Sequence, residues 1–133
     1  MSKVDERIEG RLIDPLIECI AELSRRYAAA FSRIVLDQLP RDMSGRLPGH
    51  QAGAALELAG LNFEPNVVRR LPRNAAPYPA LVGLKGDDFA LVLDVKDKDF
   101  LVWRPHRGAE AWESADVLDP EFEGPFLSVY GDP

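Results

Sequence analysis

The chain has 133 residues, 46% of them hydrophobic, and carries 22 Asp and Glu against 16 Lys and Arg, for a formal charge of −6. That length is one ordinary domain, large enough for a real core and too small for a cofactor domain beside a substrate domain. The acidic balance argues against nucleic acid and anionic lipid as partners, and the single Cys excludes an intrachain disulfide and a Cys-built zinc site.

The longest uninterrupted apolar runs, 27–31 and 89–93, are five residues each, far short of the ~20 residues of a membrane span. Direct membrane insertion by this segment is therefore not expected. The opening Met1-Ser2-Lys3-Val4-Asp5-Glu6-Arg7 has no apolar core and is not a secretory signal. One domain over 1–133 is expected, with 1–11 as a loose tail.

The first helix is predicted to open at Asp14. Asp is a good N-cap, and Pro15 suits the first helical position, where its missing N–H costs nothing. Ile13, Leu16, Ile17, Ile20, Leu23 and Tyr27 recur at spacings of three and four, one apolar stripe. Glu18, Glu22, Arg25 and Arg26 are expected on the opposite side, with Glu22–Arg26 as a favourable pair one turn apart. A second, shorter helix follows Ser32, buries Val35, Leu36 and Leu39, and stops at Pro40. Residues 41–48 form a turn-rich link. A third helix over 49–59 turns Ala52, Ala55, Leu56 and Ala59 inward, with Gly60 as its C-terminal cap.

From there the pattern changes to short strands. They are predicted at 62–70, 78–84, 89–95, 100–104 and 124–130. Asp87-Asp88 is read as a turn. Phe89, Leu91, Leu93 and Val95 fall on one face by the two-residue period. Lys96-Asp97-Lys98 turns the third strand into the fourth as a hairpin. Helices first and strands afterwards indicate an α+β fold.

The groups able to do chemistry are few. Cys19 lies on the flank of the apolar stripe, one turn past Pro15, and reads as a small buried hydrophobe rather than a thiolate. His50 and His106 show no ligand spacing, so no metal site is expected. Asp94, Asp97 and Asp99 lack the Gly and distal Glu of a calcium loop and read as a solvated turn. Gly45, Gly49 and Gly53 are not followed by Gly-Lys-Ser/Thr, so they make no phosphate loop. Ser24, Ser32, Ser44, Ser114 and Ser128 lack the Gly-x-Ser-x-Gly elbow. Taken singly, none of these residues makes a convincing catalytic set.

Three segments together resemble a known family. The first is Asp14-Pro15-Leu16-Ile17-Glu18-Cys19-Ile20-Ala21-Glu22-Leu23, ending at Tyr27. The second is Ala59-Gly60-Leu61, then Val67-Val68-Arg69-Arg70, then Pro79-Ala80-Leu81-Val82. The third is Asp88-Phe89-Ala90-Leu91-Val92-Leu93, then Trp103-Arg104-Pro105 and a closing Glu123-Gly124-Pro125-Phe126-Leu127. Over about 12–131 their order resembles the papain-like peptidase domain at the N-terminus of bacteriocin-processing ABC exporters. The resemblance is closer to the inactive, peptidase-like version on type I secretion ABC transporters, which export RTX toxins and adhesins. It implies a papain-like α+β fold, with N-terminal helices packed on a mostly antiparallel sheet.

In active members an Asp-Cys-Gly opens the first helix, and by resemblance Pro15 stands at the Cys position. The family's His corresponds to Asp88, and its orienting Asp to Arg104 before Pro105. The oxyanion Gln finds only Glu9, which cannot donate a hydrogen bond when ionised. The resemblance thus implies a non-catalytic domain. Asp88 and Arg104, opposite in charge, are expected to face one cleft and pair.

What the resemblance implies for function is a binding module on the cytoplasmic face of the bacterial inner membrane. It would hold the unfolded secretion substrate for the rest of the ABC transporter. Tyr78, Phe89, Trp103 and Arg104 are the candidate substrate-binding residues. RTX substrates are often acidic, so the net charge gives no general attraction. No cofactor is expected in this domain. ATP and Mg2+ belong to the transporter's nucleotide-binding domain, which is not in this sequence. Two alternatives stand beside this reading: a hydrolase with a relocated site at Asp88, Asp14 or His106, and a purely structural domain for transporter assembly.

Overall fold

Asp14 opens the first helix, as its sequence predicts. A computed structural model describes residues 14–43 and 45–130. The predicted tail 1–11, Glu9, Ile13 of the apolar stripe and Ser44 lie outside the described residues. Helix α1 (Pro15–Arg26) has Asp14 as N-cap in an extended conformation. The Asp14 Oδ1 accepts from the N–H groups of Leu16 and Ile17 at 3.1 and 3.4 Å. Tyr27 closes the helix, its N–H donating to the Leu23 carbonyl at 2.9 Å.

Leu16, Cys19, Ile20 and Leu23 are fully buried. Glu22 corrects the expected amphipathic division, for it is buried rather than on the solvent side. Two guanidiniums meet its carboxylate there. Arg25 takes Oε1, and Arg26 Nε donates to Oε2 at 2.7 Å. The favourable Glu22–Arg26 pair is thus present, but partly buried rather than solvated.

The second predicted helix is a single 3-10 segment, Arg33–Gln38, capped by the Ser32 hydroxyl. Pro40 disfavours helical geometry at Leu39, which is extended, so the segment is too short to settle into an α-helix. The third divides into a 3-10 turn, Gly49–Gln51, and helix α2 (Ala52–Leu58). Gly60 ends α2 at φ +77°. The Leu61 and Gly60 N–H groups bond back to the Leu56 and Glu57 carbonyls, the Schellman arrangement that glycine permits.

Six strands follow: β1 (Asn62–Asn66), β2 (Ala80–Leu84), β3 (Asp88–Lys96), β4 (Asp99–Arg104), β5 (Ala109–Ser114) and β6 (Phe122–Tyr130). They make one antiparallel sheet in the order β1-β6-β2-β3-β4-β5. Strand β5 and helix α3 (Ala115–Glu121), which links it to β6, go beyond the predicted elements. The first strand ends at Asn66 rather than at residue 70, and the last begins at Phe122 rather than at residue 124.

Both faces of the sheet are covered. On one face α1 and α2 pack over Leu81, Leu91, Leu127 and Val129. On the other, α3 contributes Ala115 and Leu118 to a second core around Val82, Val92, Phe100 and Phe126. The predicted single apolar face of β3 is corrected by this arrangement. Phe89 and Leu91 belong to the helix-side core, and Leu93 packs against it. A register shift between Val92 and Asp94 then turns Val95 to the other core, the effect of a bulge on a two-residue alternation.

Gly83 sits where β2 and β6 approach most closely. A Cβ there would lie 2.1 Å from the Gly124 carbonyl oxygen, so only glycine allows the two backbones to meet.

Candidate functional site

The N-terminus of α1 and the start of β3 face one shallow cleft. Asp14, Leu47, Gly49, Gly83, Asp88 and Glu123 are among its lining. Each Asp14 oxygen is engaged. Oδ1 caps α1, while Oδ2 accepts from the Leu47 N–H at 2.7 Å and lies 3.5 Å from Arg41 Nη1. Pro15, next in the chain, is buried at the first helical position and offers no nucleophilic atom. Asp88 opens β3 half-buried, its Oδ1 accepting from the Phe89 N–H at 2.9 Å. Its Oδ2 lies 3.6 Å from Nε2 of His106. Asp88 is thus a strand residue, and the turn predicted at Asp87-Asp88 lies one position earlier, with Asp87 at φ +57°.

Cys19 shares this end of α1 but not its surface. It is 0% exposed, and burial, with Asp88 the largest of the nearby carboxylate contributions, pushes its thiol well above the ordinary range. A thiol so placed stays protonated at neutral pH and is out of reach of a substrate. The reading of Cys19 as a small buried hydrophobe agrees with this placement.

Arg104 does not pair with Asp88, which corrects that expectation. It alternates with Phe100 and Val102 onto the α3 side of the sheet, where two carboxylates meet its planar fork. Arg104 Nε and Nη2 donate to Glu113 at 2.9 and 2.8 Å, and Nη2 also donates to Glu121 at 2.8 Å. Arg107 adds a bond to Glu113 at 3.2 Å. The hydrogen bonds from Arg104 hold the Glu113 carboxyl below its usual range, and the Glu113 bond raises Arg104 in turn. The sequence signal for this cluster was weak, because both partners sit on β5 and α3.

The four residues expected to bind substrate do not form one surface. Phe89 and Trp103 are 4% and 7% exposed and belong to the helix-side core. Tyr78 lies against the opposite core. Its ring packs edge-on to Phe100 and Phe126 at 6.1 and 5.7 Å, and its hydroxyl donates to the Pro72 carbonyl at 2.6 Å. Arg104 lies in the carboxylate cluster. Among the described residues no group of three His, Cys, Asp or Glu is placed to hold a metal ion. Asp94, Asp97 and Asp99 are all exposed around the β3–β4 turn, and His50 is exposed beside Gln51.

Two of the solved structures that resemble this one are peptidase-type domains. The N-terminal peptidase C39-like domain of the toxin secretion ATP-binding protein from Vibrio parahaemolyticus superposes with a TM-score of 0.78 at 23% identity, over 91% of this chain and 99% of that one. The peptidase domain of Streptococcus ComA, a bi-functional ABC transporter involved in a quorum-sensing pathway, gives 0.63 at 12% identity, over 86% and 88%. The chain therefore has the peptidase C39-like, papain-like fold, in agreement with the sequence expectation. No protein-family model matches the chain, and no curated protein matches it by sequence.

Proposed function

We propose that this chain is a non-catalytic, peptidase-like domain of a bacterial secretion ABC transporter, and that it binds the transporter's substrate as an unfolded polypeptide on the cytoplasmic side. The carrying observation is the end of the cleft at α1. The helix starts with Pro15, and the one thiol of the chain, Cys19, lies a turn further on, buried and protonated. A nucleophile needs exposure and an activating base, and this helix offers neither. The similarity to a toxin-secretion domain over 99% of that chain supports the transporter setting. Among the described residues no helix is long and apolar enough to cross a membrane.

A second reading draws on a specific observation: Asp14 and Asp88 line one cleft, with His106 at Asp88. Hydrolysis there meets an obstacle, since Oδ1 and Oδ2 of Asp14 already accept backbone hydrogen bonds. One pair of measurements separates the readings. Titration with an unfolded chain and its folded counterpart is expected to show binding of the unfolded form alone. Incubation of the same chain with the domain is expected to leave it uncleaved. Cleavage abolished by D88N would establish the hydrolase instead.

A further inference from the structure

The two edges of the sheet differ. On β1 the edge strand carries Pro65, which has no N–H to offer another chain and so guards that edge. Strand β5, with the sequence Ala-Glu-Ala-Trp-Glu-Ser, has neither Pro nor Lys. Its register with β4 runs from Asp99↔Ser114 to Arg104↔Ala109 without a bulge. Among the described residues no strand pairs with its outer side.

The register identifies which backbone groups point outward. The Ala115 N–H donates to the Lys98 carbonyl at 2.8 Å, so Lys98–Ala115 is a hydrogen-bonded pair. Antiparallel ladders alternate such pairs with non-bonded ones. Phe100–Glu113 and Val102–Ala111 are then bonded, while Glu110, Trp112 and Ser114 turn their N–H and C=O groups away from β4. Trp112 is 48% exposed beside those groups.

Charge is also uneven. From Gly108 onward the chain has seven carboxylates and no Lys or Arg. Glu113, Asp119 and Glu121 are matched by Arg104, Arg107 and Arg73. Glu110 and Asp116 flank the edge exposed, and among the described residues Glu110 has one ion-pair partner, Arg26 at 4.0 Å.

We propose that the outer edge of β5 takes up an extended, Lys- or Arg-bearing stretch of polypeptide as an added seventh strand. The inference rests on the reading above that the domain binds unfolded chains, and it names where and how. Backbone hydrogen bonds to Glu110, Trp112 and Ser114 grip any extended segment whatever its sequence. Trp112 covers an alternate side chain, and Glu110 and Asp116 select positive charge. A second copy of this chain is a poorer occupant, because each would bring the same acidic edge.

The test uses the whole chain with a synthetic Lys-Val-Thr repeat peptide of about eleven residues, enough to span a strand. A Glu-Val-Thr counterpart and two forms of the Lys peptide, N-methylated on one or the other set of alternate residues, complete the set. Amide NMR and hydrogen exchange are expected to show shifts and protection centred on Glu110, Trp112 and Ser114. Methylation of one alternate set is expected to abolish binding while the other leaves it intact, a readout that needs no change to the protein. E110K is expected to weaken the Lys peptide about tenfold and to favour the Glu peptide. Reduced, alkylated lysozyme serves as a long unfolded probe. If that probe binds while the β5 amides stay unperturbed, the edge proposal fails and the binding module stands. If neither the peptides nor the long probe binds, both fail. Concentration-dependent protection of the β5 amides without peptide would overturn the proposal in favour of a dimer.

Discussion

The Asp14 side chain accepts a 2.7 Å hydrogen bond from the backbone N–H of Leu47, 33 residues further along the chain. One carboxylate therefore caps α1 and anchors the link that follows the 3-10 segment. Loss of the side chain removes the cap and leaves a buried N–H without a partner. D14A is expected to lower stability by about 2–4 kcal/mol, combining a cap with an unmet buried donor. D14N keeps one acceptor oxygen and so serves either the cap or the Leu47 N–H but not both; it is expected to lose about 1–3 kcal/mol, less than D14A. Urea unfolding of both variants measures the difference, and equal losses would count against the tether.

At Gly83 the constraint is space. A methyl group there would lie within 3 Å of the Gly124 backbone, which cannot yield without opening the β2–β6 ladder. G83A is expected to cost more than about 3 kcal/mol or to prevent folding, among the severest effects of a single methyl group. G53A makes a contact of 3.3 Å with the edge of the Phe63 ring and is expected to be far milder. Thermal melts of the two variants make the comparison.

The cluster at Arg104 sets a pH dependence. The Glu113 carboxyl is lowered in the folded state, first by its hydrogen bond from Arg104. Such a group contributes stability that is present above its unfolded pKa, near 4.5, and that is lost as pH falls through the folded value. E113Q is expected to be less stable than the parent by about 1–3 kcal/mol at neutral pH. The gap is expected to close as pH falls below the ordinary carboxylate range. Melting temperatures of parent and variant between neutral and acid pH follow it, and a gap independent of pH would exclude this origin.

Cys19 reports on opening of the fold. Its burial and raised pKa predict negligible reaction with an aromatic disulfide reagent in the native state at pH 8. In denaturant the same thiol is expected to react fully. C19A removes one buried sulfur and is expected to cost about 1–2 kcal/mol while leaving binding of unfolded chains unchanged. Rapid native labelling, or loss of binding in C19A, would show that the thiol is accessible or used.

Local signals in the sequence carried the parts of the fold that local chemistry determines. Asp14-Pro15 is a cap followed by a residue with fixed φ, and both act within one turn. Gly60 supplies the positive φ that ends α2. The Lys96–Asp99 hairpin follows from a polar pair between apolar runs. Strand β5 escaped notice because an edge strand needs no apolar face, and its one large apolar residue, Trp112, is half exposed. Helix α3 escaped because Ala115 and Leu118 alone anchor it and Pro120 lies inside it. Both elements carry the carboxylates that pair with Arg104, so its true partners are as hard to read from sequence as the elements themselves. Phe89 and Trp103 qualify as candidate binding residues by residue type alone. Their spacing along β3 and β4 does not reveal that both cores close over the sheet.

The strand order places β6, last in the chain, between β1 and β2. Strands β2 to β5 form a meander whose pairings join neighbours in sequence. β1 has no partner in it, and its five paired positions all lie on β6. During synthesis β1 and the meander therefore cannot join in one sheet until residues 122–130 emerge, although the helices already have Leu81 and Leu91 of the meander to pack on. Their joining depends on one late strand that enters with both edges open, a long-range step of the kind that slows folding and exposes chains to misassembly. In the intact protein, that same strand makes the first and last described strands neighbours.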